Sequence, residues 1–218
     1  MTPLIFCRPR PEPLWPRHKS GPGPGSEGLS NLLMLELEGI NFHDGNVNPL
    51  SFKPLKKLIY LRPDHNQFRA IPTGLPASLQ QVLHLGNNHI EIVSERVLNK
   101  TLNLSILVLS NNVLQEHRTA PWLGSDLLNL ELLYLSHNQL VMRMGPHVPF
   151  FLPRGLKQLI MHHNQIKWIP VSEDSSLVSV YLENNFINHW LILPATFFCI
   201  KTYHSVVSRP QHGEYEYY

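Results

Sequence analysis

Cysteine is scarce in this chain. Cys7 and Cys199 are the two in 218 residues, and they sit near opposite ends. No disulfide framework is in evidence. Charge is also sparse, with 16% of residues charged and a net charge of +2. With no lysine-arginine run, nucleic acid is excluded as a partner. No apolar run reaches the ~18–20 residues of a membrane span, so the chain is not read as membrane-spanning. The N-terminal apolar stretch at residues 4–7 is shorter than the ~7–15 residues of a signal-peptide core, so no leader is visible. A catalytic constellation is missing too. Cys199 lies near His204, but there is no nucleophile motif and no acid to orient the histidine. The chain reads as non-enzymatic, with no cofactor.

What is present is leucine at fixed spacing. Residues 130–140, LELLYLSHNQL, place Leu130, Leu133, Leu135, Asn138 and Leu140 at positions 1, 4, 6, 9 and 11 of the pattern L-x-x-L-x-L-x-x-N-x-L. Aligned on position 9, the frame recurs at Ile40, Asn66, Asn88, Asn112, Asn138, Asn164 and Asn185. Successive spacings are 26, 22, 24, 26, 26 and 21 residues. Position 4 is Leu35, Leu61, Leu83, Leu107, Leu133, Leu159 and Val180, and position 11 is apolar every time.

Seven units in this frame imply an α/β repeat fold, a leucine-rich repeat solenoid. Residues 3 to 5 of each unit should form a short strand paired in parallel with its neighbours. Positions 4 and 6 then point inward, and positions 3 and 5 point out onto a concave face. The convex side should be irregular or briefly helical; the segment SERVLNKTLN is helix-like. The position 9 amide should satisfy backbone groups of the turn. No unit can bury its apolar face alone, so stacking and caps supply the stability.

Three regions follow. Residues 1–28 hold seven prolines and four glycines without periodicity and read as disordered. Residues 29–190 are the repeat array. Residues 191–218 are a C-terminal cap, in which WLILPATFFCI covers the last core, followed by a mobile tyrosine-rich tail. Two positions break the frame. Ile40 replaces the position 9 asparagine of the first unit, and Pro63 fills a leucine slot in the second, where it cannot donate to a strand ladder.

LELEGINFHDGNVNPLSFKPLKKLIYL, LPASLQQVLHLGNNHI, LPRGLKQLIMHHNQI and LVSVYLENNFIN resemble the small leucine-rich repeat proteoglycans over roughly residues 30 to 212. The phrasing is most like the podocan and extracellular matrix protein 2 branch, in particular the repeat region of the latter. The resemblance implies a secreted, non-enzymatic protein of the extracellular matrix. Its partners would be collagen or other matrix proteins, or cell-surface receptors; glycosaminoglycan is weakly supported because the basic residues are scattered. The chain departs from the family in lacking clustered N-terminal cysteines and a partner for Cys199. Those gaps keep two other readings open. One is an intracellular repeat scaffold. The other is a truncated or diverged non-functional copy, for which Ile40 and Pro63 speak.

The concave face is the expected recognition surface. Among its outward residues, Tyr60, Arg62, His84, Tyr134 and Tyr181 combine contact area with polar handles. His137 and His163 hold position 8 of adjacent units, about one strand spacing (~5 Å) apart, with His162 beside them. Such imidazoles could ligate Zn²⁺ or sense pH; the plainer reading is an exposed polar position, held by Asn87, Asn111 and Asn184 elsewhere. They are read here as partner-binding, with no metal assigned. Asn99-Lys100-Thr101 and Asn103-Leu104-Ser105 are N-glycosylation acceptors. Asn99 is the better of the two, because Asn103 abuts a strand entry.

Overall fold

The computed structural model describes residues 5–6, 28–94, 96–115, 127–141, 152–167, 176–187, 205–207 and 211–212. The strand triplets fall where the frame places them: β2 (Met34–Glu36), β3 (Tyr60–Arg62), β4 (Val82–His84), β5 (Ile106–Val108), β6 (Leu132–Tyr134), β7 (Gln158–Ile160) and β8 (Ser179–Tyr181). Two further strands extend the ladder, β1 (Ile5–Phe6) and β9 (Ser205–Val207). All are parallel, in chain order. Register runs position to position, as in Leu35↔Leu61, Leu107↔Leu133 and Leu159↔Val180.

Each triplet from β2 to β8 buries its middle residue and half-exposes the two beside it. This is the two-residue alternation of a strand, with one face on the core. Leucines of positions 1, 4 and 6 and the apolar residue of position 11 stack into one continuous core.

The position 9 asparagines join the coils. Asn138 Nδ2 donates to the carbonyls of Leu135 (3.0 Å) and Ser136 (3.2 Å) in its own turn and to Leu109 (3.0 Å) in the coil before. Its Oδ1 accepts from Leu114 N at 3.0 Å. Asn88, Asn112, Asn164 and Asn185 repeat the arrangement. All are buried.

The ladder continues where the frame alone did not follow it. Gln211, 26 residues after Asn185, is buried. It accepts from Ile187 N at 3.0 Å and donates to Leu182 O at 2.9 Å, so it supplies an asparagine's inter-coil bonds with one more methylene.

Pro63 interrupts a different series. Position 6 amides donate to position 5 carbonyls of the next unit: Leu37 to Arg62, Leu85 to Val108, Leu109 to Tyr134, Leu135 to Ile160, Met161 to Tyr181. Pro63 has no N–H to make the equivalent bond. Its carbonyl still accepts from Asn88 Nδ2 at 3.1 Å. The buried proline therefore keeps its half of the asparagine ladder.

The convex segment expected to be helix-like is not a helix. Arg96 has φ of 60°, a left-handed conformation that no α-helix carries. Residues 96–104 are successive tight turns, closed by Asn99 N to Arg96 O, Thr101 N to Leu98 O and Leu104 N to Thr101 O. Among the described residues the one helical element is the 3₁₀ turn Gly28–Asn31. Of the segment 1–28, only Ile5–Phe6 and the start of that turn are described, the former paired with Leu35 and Glu36 of β2. Of the expected cap, β9 and residues 211–212 are described; WLILPATFFCI, Cys7, Cys199 and His204 lie outside the described residues.

Replacing Asn138 by alanine leaves the buried Leu114 N without its partner and takes one of two hydrogen bonds from each of the Leu109, Leu135 and Ser136 carbonyls, which keep Asn112, Asn164 and Asn111 N. A loss of about 2–4 kcal/mol is expected, since one unsatisfied buried group costs roughly 1–3 kcal/mol and the three weakened carbonyls add to it. Urea unfolding of Asn138→Ala against an exposed control, Asn129→Ala, checks it.

Candidate functional site

The concave face is two rows of half-exposed side chains. The position 5 row reads Glu36, Arg62, His84, Val108, Tyr134, Ile160, Tyr181, and the position 3 row reads Met34, Tyr60, Val82, Ile106, Leu132, Gln158, Ser179. Strand register places Tyr134 against Ile160 and Ile160 against Tyr181. Val82, Ile106, Val108 and Leu132 adjoin them on β4 to β6, so the centre of the face is an apolar band with Tyr134 inside it and Tyr181 at its end.

The end of the face at β2 and β3 is polar and ion-paired. Arg62 meets Asp64 at 3.0 Å and Glu38 at 3.4 Å. Asp64 is 0% exposed, a buried charge that demands a partner. His65 Nδ1 lies 3.0 Å from Asp64 Oδ2, and His84 Nδ1 lies 3.9 Å from it. The bond to Asp64 raises the Arg62 pKa. Burial raises the Tyr60 phenol pKa, with Glu36 reinforcing it. Burial holds His84 below the ordinary histidine value, outweighing the nearby Asp64 carboxylate. Arg62 and His65 thus share one buried anion, with His84 close by, an arrangement that sequence reasoning missed. Asp64 stands at position 7, between the turn asparagine and the strand, and nothing in the leucine spacing marks that position as buried.

His137 and His163 lie beyond the strand ends, three residues after β6 and β7, in left-handed conformations with φ of 54° and 56°. Asn87, Asn111 and Asn184 share that conformation with φ of 52–54°. Their turns need it, and asparagine and histidine tolerate it better than most residues. The spacing expected from sequence is realised: the two imidazoles stack with centroids 4.2 Å apart and planes 17° apart. His162 joins edge-on, its Nδ1 2.8 Å from His163 Nδ1.

Both sequon asparagines are exposed. They differ in engagement: Asn103 Oδ1 accepts from Asn129 Nδ2 of the next coil at 2.8 Å. No helix among the described residues is long and apolar enough to cross a membrane.

Comparison with known proteins bears on what such a face does. No family model matches the chain. Podocan of Mus musculus is 37% identical over 151 residues, 69% of this chain and 24% of that protein. Toll-like receptor 8 of Homo sapiens is 32% identical over 72% of this chain and 16% of the receptor. Fibromodulin of Oryctolagus cuniculus is 34% identical over 140 residues, 62% of this chain and 87% of that sequence. The chain thus spans about a quarter or less of podocan and the receptor. In fold it is similar to a chain of the octameric complex of Latrophilin 3, Unc5D and FLRT2 (LRR). The TM-score is 0.68 at 23% identity, over 84% of this chain and 56% of the other.

A histidine whose folded pKa is lowered adds stability that is fully present above its unfolded value. That stability is lost as pH falls toward the folded value. Stability should therefore decline below about pH 6.5. His84→Asn should shrink the decline. Denaturant midpoints measured from pH 7.5 to 5 compare the two.

Proposed function

We infer, from the premise that this chain belongs to the small leucine-rich repeat proteoglycan family, that it is a non-enzymatic binding module of the extracellular matrix. It recognises protein partners through the concave face. The observation that carries the reading is the apolar band of Val82, Ile106, Val108, Leu132 and Ile160, with Tyr134 inside it and Tyr181 at its end, half-exposed across parallel strands. Apolar side chains held rigidly on strands desolvate cheaply, and the tyrosines add area with a hydroxyl to bond. The paired charges of Arg62, Asp64 and Glu38 at the other end give orientation more than affinity, because they are already ion-paired within the chain.

Within the family we place the chain on the podocan and extracellular matrix protein 2 branch, supported by its identity with podocan. Fibrillar collagen is the partner class that best suits a long, narrow apolar band; a cell-surface receptor ectodomain is the second. Glycosaminoglycan suits it poorly, since the described face carries Arg62 as its one Lys or Arg at positions 3 and 5 and that group is paired. His137, His163 and Tyr60 border the same face. Asn99, exposed in its turn and away from the inter-coil bond that holds Asn103, is the N-glycan site.

Two measurements test this. Retention of the full chain on immobilised fibrillar collagen should fall at least about tenfold in a Tyr134→Ala, Tyr181→Ala double variant, since such anchors carry more than ~1 kcal/mol each. It should persist at ~1 M salt, where screening shortens to ~3 Å. Loss at high salt with an unaffected double variant would overturn the concave-face reading. Expressed behind a secretory leader, the chain should appear in the medium with a mobility that N-glycosidase shifts, and Asn99→Gln should remove most of the shift. Intracellular, unshifted material would overturn the extracellular assignment.

A further inference from the structure

We propose that His137, His162 and His163 form a Zn²⁺-binding site at the edge of the solenoid, built from two adjacent coils. One ring nitrogen from each lies within 4.8 Å of the nitrogens offered by the other two. Three imidazole ligands with an open fourth position is a recognised zinc geometry, with Zn–N of ~2.0–2.1 Å and hence ligand nitrogens about 3.3 Å apart. His162 and His163 already bring Nδ1 atoms to 2.8 Å, close to that spacing, whereas His137, stacked on His163 with planes 17° apart, must turn out of the stack to aim its nitrogen at the same ion.

The backbone beneath the cluster is fixed, which keeps the entropic cost of binding low. His137 N donates to His162 O at 3.1 Å and His163 N to Glu183 O at 2.9 Å. Asn138 and Asn164, the residues immediately following, are locked into the buried ladder. Two of the three imidazoles are held toward the neutral form. Burial, then the neighbouring histidines, lowers the pKa of His137, and burial likewise lowers that of His162 against the pull of Glu183. Neutral imidazole is the form a metal takes.

A second observation points the same way. Glu183, which acts electrostatically on His162, has a buried Oε2 with no hydrogen-bond partner among the described residues. A cation on the three imidazoles would offset that carboxylate. The other cluster of metal-ligating groups, Glu38, Asp64 and His65, also holds a carboxylate oxygen without a hydrogen bond, Asp64 Oδ1, but there the Arg62 guanidinium already supplies the positive charge. An exposed polar position is filled as well by Asn87, Asn111 and Asn184, so the turn does not itself require two stacked imidazoles.

The test uses that equivalence. In the full chain, His137→Asn with His163→Asn keeps a side chain the same left-handed turn accepts elsewhere, so the variant should fold. Its circular dichroism and metal-free melting temperature verify this. Titrating ZnCl₂ at neutral pH by calorimetry should give one site per wild-type chain, with a raised melting temperature. The double variant should lose affinity by more than the ten- to hundredfold (roughly) that even outer-sphere changes cost. His162→Asn, which leaves the stacked pair, should weaken binding by at least about tenfold. No heat and no melting shift in the wild type would overturn the site. So would zinc binding that survives unchanged in the double variant.

Discussion

From the second unit onward, one side chain in each coil does what the leucines cannot. A stack of apolar coils leaves the backbone of every turn buried, where an unpaired N–H or C=O costs roughly 1–3 kcal/mol. The position 9 asparagine has two amide hydrogens and an acceptor oxygen, and it spans the gap between neighbouring coils with both. Asn112, for example, reaches Leu109 and Ser110 in its own turn, Leu85 in the coil before, and the amide of Ile90. Every other feature of the molecule hangs from this lattice. It holds strands in register, fixes where the concave rows point, and sets adjacent turns close enough for histidines to stack.

Placement of function follows from the same lattice. Because register repeats position for position, side chains distant in sequence become neighbours on one face, and the face inherits the composition of two columns of the alignment. Those columns shift in character along the array, from an ion-paired end around Arg62 and Asp64 to an apolar band between β4 and β8. The gradient is a property of the columns, while binding strength depends on which groups remain unpaired. Arg62 is counted as a cation in the sequence, yet in the fold its charge is directed inward to a buried carboxylate.

Legibility in the sequence tracked periodicity. The strands, their inward and outward residues and the pairing of His137 with His163 all follow from constant spacing, since a parallel stack turns sequence period into distance. Features that break the period were not legible. Gln211 carries the ladder onward although it is not asparagine, and it was hidden because glutamine reaches the same carbonyl with a longer side chain. The segment at 96–104 looked helical by composition, but a left-handed Arg96 divides it into turns, a backbone choice that composition does not encode.

The amino-acid sequence by itself determined that this chain is a parallel solenoid with two outward rows of side chains on its sheet, because the spacing of leucine and asparagine sets how the core is buried. The tertiary structure alone decided which side chains are spoken for. Asp64 is buried against Arg62, Pro63 keeps its carbonyl in the ladder while its missing N–H leaves the series between coils interrupted, and three imidazoles converge beside a carboxylate oxygen without a hydrogen-bond partner. Those outcomes depend on contacts between coils some 20 to 30 residues apart. There, burial and charge are set by the neighbouring turn and not by the residue's own place in the repeat.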